Sequence, residues 1–183
     1  MILVVAATDR ELAAVDGAAT LRCGIGPVEA ALATSRALAE ARPAAVVHIG
    51  IAGAATLAPP ALVIGSEAVY CDIVDPASRL PRVERVAPSP ELVAAARRAL
   101  PGAALLPIGT CARVGGGAAL DVEAMEGFAV LRAAELAGIP AVEVRAVSNA
   151  FADERDRWRI EEALAALAEA TPRLVREVAA CVS

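Results

Sequence analysis

The segment Thr8-Asp9-Arg10-Glu11 could place a carboxylate in a ligand site, because it directly follows the apolar run Ile2–Ala7. Open α/β sheets bind ligands at the carboxyl ends of their strands, and Glu11 would stand at such an end. The same four residues match a capping box, in which a glutamate at the third helical position accepts a hydrogen bond from the N-cap amide. The spacing alone favours the capping box over a functional carboxylate.

A second candidate carboxylate, Glu126, lies in a segment that we predict to form a helix over Val122–Ala137. The residues one and two turns away from Glu126 in that helix are apolar, so its carboxylate is expected on an apolar face. Acidic residues are also common in the first turn of a helix, because they complement the helix dipole. Both interpretations, a ligand carboxylate and a dipole partner, stay open on the pattern alone.

Asn149 is the one asparagine of the chain, and it follows the predicted strand Ala141–Val147. An amide at this place could both donate and accept hydrogen bonds at a ligand site. Asparagine at the end of a strand is also a common turn former. The charged segment Asp153–Trp158 that follows is expected to be a solvated loop, with Trp158 anchoring the next helix.

The glycine motif Gly24-Ile25-Gly26 joins the predicted strand Thr20–Gly24 to the predicted helix Pro27–Ala41. A dinucleotide-binding fingerprint needs a third glycine three residues further on, and this chain has Glu29 there. We therefore expect no dinucleotide cofactor. A tight turn whose backbone amides face a ligand is still compatible with the spacing.

The composition excludes several classes of function. The formal net charge of −5 opposes binding to nucleic acid. All 17 basic residues are arginine, so Schiff-base chemistry and a Walker phosphate loop, which need lysine, are excluded. We predict that the single histidine, His48, is a core residue and that no metal is bound. Four scattered cysteines without CxxC spacing favour free thiols in a reducing cytoplasm over a zinc site or disulfides.

Short Val- and Ile-rich runs alternate with longer Ala- and Leu-rich segments, a pattern typical of an α/β fold. The length is usual for one core, so residues 1–183 are expected to form a single domain. The uncharged segment Pro43–Ser66 is long enough to cross a bilayer. Its glycines and its Pro59-Pro60 pair instead favour a buried strand followed by a glycine loop, Gly50–Ala54. We predict neither a signal peptide nor membrane association.

Six short stretches occur in an order that resembles the purine nucleoside phosphorylase and nucleosidase superfamily along the whole chain. The resemblance implies a three-layer α/β/α sandwich around a mixed, partly barrel-like sheet. It also implies a small nucleoside as substrate, no cofactor, and a homo-oligomer whose partner chain completes the pocket. The stretches begin at Val4 (VVAATDRE), Gly24 (GIGPVEAA), His48 (HIGIAG), Ile64 (IGSEAVY), Met125 (MEG) and Arg145 (RAVSN).

The resemblance also implies roles for single residues. Glu11 matches the acidic residue that positions and deprotonates the attacking water in nucleosidases. Met125 matches a methionine packed against the ribose, and Glu126 matches the carboxylate that binds ribose hydroxyls. Asn149 stands where the adenine-specific nucleosidases carry an aspartate that protonates the purine.

Within the superfamily the chain is most similar to the futalosine hydrolases, which belong to an alternative route to menaquinone. An amide suits a 6-oxopurine such as hypoxanthine, whereas a carboxylate suits adenine, so Asn149 agrees with this choice. Ile51 and Gly53 belong to the glycine loop, which is expected to bind the substrate. Ile51 stands where adenine-specific nucleosidases often carry a serine. Arg155 and Arg157 are candidates to bind the benzoate of futalosine, since arginine holds carboxylates in a bidentate manner.

Three alternatives remain from the sequence. A phosphorylase of the same fold would need basic residues for phosphate, for which Arg22 and Arg113 are the candidates. An adenine-type nucleosidase acting on methylthioadenosine or S-adenosylhomocysteine would share the fold. A non-catalytic nucleotide-binding module would require Glu11 and Glu126 to be merely structural.

Overall fold

Valine- and isoleucine-rich segments form a central mixed sheet, and alanine-rich segments form the helices around it, as their intrinsic preferences favour. The computed structural model describes residues 1–73, 75, 77, 79–115 and 119–182. The strands in these residues are β1 (Ile2–Ala6), β2 (Ala19–Arg22), β3 (Ala45–Ala54), β4 (Leu62–Tyr70), β5 (Arg85–Val86), β6 (Ala104–Thr110), β7 (Val122–Ala124) and β8 (Ala141–Ala150). The helices are α1 (Asp9–Leu12), α2 (Pro27–Ala41), α3 (Pro90–Ala99), α4 (Gly127–Ala137) and α5 (Ile160–Cys181), and a 3₁₀ turn spans Arg155–Arg157.

Five of these strands close into a ring, which makes part of the sheet a small barrel. Strand β3 pairs with β7 and β8, β7 pairs with β6, and both β6 and β8 pair with β4. Strands β1 and β2 extend the sheet beyond β3. Because β1, β3 and β8 run parallel, their carboxyl ends meet at one end of the sheet, where α/β proteins bind ligands.

Two hydrophobic cores separate the layers of the molecule. One face of the sheet packs against α3 and α5, and the other face packs against α2 and α4. The predicted three-layer α/β/α sandwich around a mixed, partly barrel-like sheet is therefore confirmed.

Two predicted elements are wrong in ways that matter for the site. The predicted glycine loop Gly50–Ala54 is the second half of β3, since its backbone pairs with β8 and β7. The predicted helix Val122–Ala137 is divided, because its first residues form β7 and α4 begins only at Gly127. Pairing on both sides of β7 outweighs the helical preference of its residues. Glu126 thus lies at the N-cap of α4 and not on the apolar face of a longer helix.

The uncharged segment Pro43–Ser66 supplies β3 and the start of β4. Within the described part of the chain, no helix is long and apolar enough to cross a membrane. The lack of charged residues in this segment is thus explained by its burial in the sheet.

Candidate active site

A cavity of about 280 Å³ opens at the carboxyl ends of β1, β3 and β8. The sequence-predicted residues that line it are Glu11, Ile51, Gly53, Met125, Glu126, Asn149 and Arg155. Arg113 also lines it, whereas Arg157 and Arg22 are not among the described residues of its lining. The fold thus brings together residues that are up to 144 positions apart in the chain, from Glu11 to Arg155.

The carboxylate of Glu11 is shared between a helix cap and the cavity. Its Oε2 accepts hydrogen bonds from the Thr8 amide at 3.0 Å and from the Thr8 hydroxyl at 2.8 Å. The Glu11 amide donates back to the Thr8 hydroxyl at 3.4 Å, which confirms the capping box. Its Oε1 accepts a hydrogen bond from the Ile51 amide of β3 at 3.0 Å. The cap therefore holds in place a buried carboxylate that also lines the cavity.

Arg145 of β8 is almost completely buried, with 1% of its surface exposed. Its Nε donates to Glu143 Oε1 at 2.8 Å, and its Nη2 contacts His48 Nε2. Its Nη1 lies 3.4 Å from Glu126 Oε2 and 3.5 Å from the Ile51 carbonyl oxygen, both in residues that line the cavity. All three guanidinium nitrogens therefore have partners, and Nη1 is the one beside the cavity.

His48 is fully buried, so the prediction of a core histidine is confirmed. Its Nδ1 lies 3.0 Å from the Val5 carbonyl oxygen, while its Nε2 faces Arg145. Because arginine can only donate, Nε2 must accept and the ring proton sits on Nδ1. Burial, and then the Arg145 charge, hold the pKa of His48 well below its usual value. His48 is thus a neutral imidazole that supports the guanidinium.

Glu143 lies two residues before Arg145 on β8, so both side chains project from the same face of the sheet. Burial raises the pKa of its carboxyl, and the neighbouring Arg145 charge opposes that rise. Its Oε2 is buried and has no hydrogen-bond partner among the described residues. The carboxyl packs against Gly127 so closely that a Cβ there would lie within 3.0 Å of it. A side chain at position 127 would therefore require the Glu143 carboxyl to move.

Gly50 in the middle of β3 makes room for two of these charged groups. A Cβ at this position would lie within 3.0 Å of Arg145 Nη1 and of Glu11 Oε1. A glycine inside a strand often marks such a close approach. We call Glu11, His48, Glu126, Glu143 and Arg145 the floor cluster.

Glu126 connects Arg145 to the glycine turn before α2. Its Oε1 accepts a hydrogen bond from the Gly26 amide at 3.0 Å, and its Oε2 faces Arg145 Nη1. Gly26 has a φ of 92°, a conformation that favours glycine. The backbone amide of this turn therefore binds a carboxylate of the protein, which resolves the open question about the Gly24-Ile25-Gly26 motif.

Asn149 faces the cavity because the β3–β8 register shifts between Ala52 and Gly53, so that Gly53 pairs with Asn149. A register shift of this kind changes the direction in which the following side chains point. The Ser148 hydroxyl donates to Asn149 Oδ1 at 2.8 Å, and Asn149 Nδ2 donates to the Ala150 carbonyl oxygen at 3.0 Å. Because a carbonyl oxygen can only accept, the Ala150 contact fixes Nδ2 as the donor end of the amide. The second hydrogen on Nδ2 is left for a ligand.

The mouth of the cavity is lined by Arg113, Arg155 and Trp158, which we call the rim. The Arg155 guanidinium lies over the Trp158 ring at 4.5 Å, and Trp158 Nε1 donates to the Asp153 carbonyl oxygen at 3.3 Å. Phe151 lines the cavity beside Gly53. The sequence analysis did not single out Phe151, and its position two residues after Asn149 is the signal that could have found it.

The cavity as a whole can stabilise positive charge with the carboxylates of Glu11, Glu123 and Glu126, and it offers a hydrogen-bond donor at Asn149. Carboxylates also suit the activation of water by general-base catalysis. In the part of the chain that the structure describes, no three His, Cys, Asp or Glu side chains are grouped so that they could hold a metal ion.

Two solved structures share this fold. A futalosine hydrolase mutant of Helicobacter pylori strain 26695 superimposes with a TM-score of 0.85 at 18% identity, over 96% of this chain and 98% of that chain. A 5′-methylthioadenosine/S-adenosylhomocysteine nucleosidase of Colwellia psychrerythraea 34H, in complex with adenine, gives 0.80 at 22% identity, over 99% and 95%. At these identities the likeness concerns the fold alone.

Two sequence comparisons add to the structural likeness. A futalosine hydrolase of Streptomyces coelicolor is 55% identical over 53 residues, a stretch that spans 28% of this chain and 23% of that relative. The model of the phosphorylase superfamily matches residues 14–116 and 111–183. These matches confirm the resemblance at the level of the superfamily. The chain belongs to the phosphorylase superfamily.

Proposed function

We propose that this protein hydrolyses the N-glycosidic bond of futalosine, releasing hypoxanthine and dehypoxanthine futalosine on the route to menaquinone. The observation that carries the proposal is that Glu11, Glu126 and Asn149 line one cavity. Buried Arg145 contacts Glu126 beside it. The local identity to a futalosine hydrolase of Streptomyces coelicolor supports the choice of substrate.

Cleavage of an N-glycosidic bond requires two opposite charges to be stabilised. As the bond from C1′ to the purine breaks, its electron pair moves onto the base and positive charge develops on the ribose. Glu126 binds the ribose hydroxyls, and Met125 packs against the sugar. Glu11 accepts a proton from the water whose oxygen attacks C1′. The departing base is stabilised by the Asn149 amide and then takes a proton from solvent.

Water is favoured over phosphate as the nucleophile, because the basic groups of the site are poorly placed for an anion. Arg145 is already bound by His48 and Glu143. Arg22 is exposed on the surface and pairs with Asp9 at 3.3 Å. Arg113 lines only the exposed mouth of the cavity. A phosphate would have to break one of the buried ion pairs of Arg145 to reach its guanidinium.

The hydrogen bonds of Asn149 support a 6-oxopurine as the base. The remaining Nδ2 hydrogen can be donated to O6, which is an acceptor in a 6-oxopurine, whereas the 6-amino group of adenine is itself a donor. The Ala150 carbonyl oxygen, which accepts from Nδ2, holds the amide in this orientation. An aspartate at this position would instead set a carboxylate against O6.

The rim suits the aromatic acid at the far end of futalosine. Arg155 stacks on Trp158 and is held at the mouth of the cavity. Ile160 and Leu164 of α5 offer apolar surface in the same lining. We therefore assign the benzoate to Arg155, and Arg157 becomes its matched control.

A panel of nucleosides tests the proposal. Purified protein is incubated with futalosine, inosine, adenosine and methylthioadenosine, with and without phosphate, and the released base and sugar are identified. We expect hypoxanthine from futalosine at a rate that does not depend on phosphate. A strict need for phosphate would make the protein a phosphorylase, and a preference for methylthioadenosine would make it an adenine-type nucleosidase. Binding measured by calorimetry without turnover would indicate a non-catalytic module.

A second copy of the chain is proposed to cover one side of the cavity. Ile25 in the turn before α2 and Val28 and Leu32 in its first turns are exposed apolar residues, and Ile25 also lines the cavity. A homo-oligomer that buries these residues would reduce exposed apolar area and close the pocket. Sedimentation velocity of the wild type and of Val28→Glu tests this. A monomeric wild type would contradict it.

The proposed setting is the cytoplasm, with residues 1–183 acting as one domain. Cys23, Cys71, Cys111 and Cys181 are free thiols. Free thiols are usual for proteins of a reducing compartment.

A further inference from the structure

Glu143 is a fully buried carboxyl that is not among the described residues of the cavity lining. Burying a charged group is costly unless it is paired and hydrogen-bonded. Here one oxygen binds Arg145 and the other has no hydrogen-bond partner in the described chain. A buried carboxylate oxygen without a hydrogen-bond partner needs an explanation other than packing.

Glu143 contacts two groups that neighbour residues of the cavity lining. Its Oε1 holds Arg145 Nε at 2.8 Å, and its carboxyl packs against Gly127, the residue that follows Glu126. One group therefore contacts both the guanidinium and the helix start that carries the carboxylate proposed to bind ribose.

We propose that Glu143 is a positioning residue for nucleoside hydrolysis, because its hydrogen bond to Nε sets the rotation of the Arg145 guanidinium and keeps Nη1 between Glu126 and the Ile51 carbonyl. The inference rests on the proposed function.

The geometry explains why this anchor is needed. A guanidinium is planar, so hydrogen bonds along two of its edges fix its plane and its rotation. His48 fixes the Nη2 edge and is itself held by the Val5 carbonyl. Without the Nε edge, the side chain can turn about the His48 contact. Nη1 would then leave Glu126, and the Ile51 backbone, which also holds Glu11 Oε1, would lose a partner.

Three substitutions separate the hydrogen bond from the charge. Glu143→Gln keeps an acceptor at the right reach and removes the charge. Glu143→Asp keeps the charge and shortens the reach by one methylene. Glu143→Met removes both at a similar volume. Thr34→Val is the matched control, because Thr34 is a buried residue of α2 whose hydroxyl also lacks a partner in the described structure.

Two readouts are used on variants shown to be folded by circular dichroism. The first is kcat and KM for futalosine. The second is the ¹⁵N-detected Nε–H signal of Arg145, assigned with Arg145→Lys, and its rate of exchange with solvent. The second readout needs no substrate. A failure of the proposed function would appear as no turnover by the wild type, while a failure of this inference would appear in the Nε–H signal.

In Glu143→Gln we expect the Arg145 Nε–H to stay protected from exchange with solvent and kcat to stay within about threefold of the wild-type value. Glu143→Asp and Glu143→Met should lose the signal and about a hundredfold in kcat, with KM changed far less, since a misplaced positioning group costs about that much. Thr34→Val should match the wild type. The proposal is overturned if the aspartate variant is normal and the glutamine variant is impaired. It is equally overturned if all variants keep both the signal and wild-type kcat. Should the methionine variant not fold, the glutamine and aspartate variants decide the question alone.

Discussion

The floor cluster and the rim of the cavity both carry arginine, but they hold it in different ways. In the floor, Arg145 is buried and each of its guanidinium nitrogens has a protein partner. On the rim, Arg155 is exposed and rests on the face of Trp158. Water and salt screen exposed charges strongly and buried ones weakly. Under the proposed function, the chemistry belongs to the floor and substrate selection to the rim, so substitutions in the floor are predicted to have larger effects.

The largest effect is expected in the floor, at Glu11. Glu11→Gln should lower kcat by about 10²–10⁴-fold, because it removes the base that activates water. Its amide group must also face either the Ile51 amide or Thr8, which costs one hydrogen bond and about 1 kcal/mol of stability. Steady-state kinetics and thermal unfolding measure the two effects separately.

Ser89→Ala is the control for Glu11→Gln, because Ser89 caps α3 by accepting a hydrogen bond from the Leu92 amide. It should cost about 1 kcal/mol of stability and leave kcat unchanged. If Glu11→Gln also retained wild-type kcat, the capping box would be the whole role of Glu11.

The next largest effect is expected at Asn149, which lies between floor and rim. Asn149→Asp should weaken hydrolysis of a 6-oxopurine nucleoside relative to its adenine form by about 1–3 kcal/mol, since a carboxylate would oppose O6. The measurement is the ratio of kcat/KM for the hypoxanthine and adenine forms of one nucleoside, in wild type and variant. An unchanged ratio would leave Asn149 as a residue of β8 with no part in the choice of base.

The third prediction concerns the stability of the floor as pH falls. The pKa of His48 is lowered in the folded protein, so below about pH 6.5 the unfolded chain binds a proton that the native state does not. The neutral imidazole therefore makes its full contribution to the free energy of unfolding above that pH. As the pH decreases further, the free energy of unfolding falls by at most about 1.4 kcal/mol per pH unit.

His48→Gln removes this titration, so the difference in unfolding free energy between wild type and variant should shrink between pH 7 and pH 5. Glu143 has a raised pKa and opposes the trend, but it is present in both proteins and cancels in the difference. Denaturant unfolding of the wild type and of His48→Gln at several pH values measures this difference in unfolding free energy. Parallel curves would show that His48 is not the acid-sensitive part of the floor.

The smallest effect is expected on the rim. Arg155→Ala should raise KM for futalosine by roughly three- to fivefold, because exposed ion pairs contribute at most about 1 kcal/mol. Inosine, which has no benzoate, should be unaffected. Arg157→Ala is the matched control, since Arg157 is exposed in the same turn but is absent from the described lining. Equal effects of the two substitutions would contradict the assignment of the benzoate to Arg155.

Local patterns predicted the parts of the fold that depend on neighbouring residues. Helix α2 has the predicted bounds Pro27–Ala41, because a proline at its first turn and an alanine-rich body are local signals. Strand β7 was missed, since its residues favour a helix and only pairing with β3 and β6 makes them a strand. Closure of a ring of strands depends on contacts between distant residues and leaves no short motif.

The same limit applies to the site. Glu11, Glu126 and Asn149 were found because the superfamily motifs mark them. Arg145 and Glu143 were not singled out as candidate functional residues, although two charges at alternate positions are unusual in a buried, Val-rich strand. Their pairing with His48 depends on the β3–β8 register, in which His48 stands opposite Glu143. No pattern within either strand reveals that partnership.

The closed ring of β3, β7, β6, β4 and β8 gives the molecule a hierarchy of opening motions. A strand in a ring has no free edge, so its amide hydrogens exchange with solvent only when several neighbours separate together. The backbone amides of β3 and β8 should therefore be among the slowest to exchange, whereas those of the rim segment Arg155–Arg157, a 3₁₀ turn, should exchange faster. The floor residues on these two strands, His48, Glu143 and Arg145, are therefore expected to keep their positions while the rim opens.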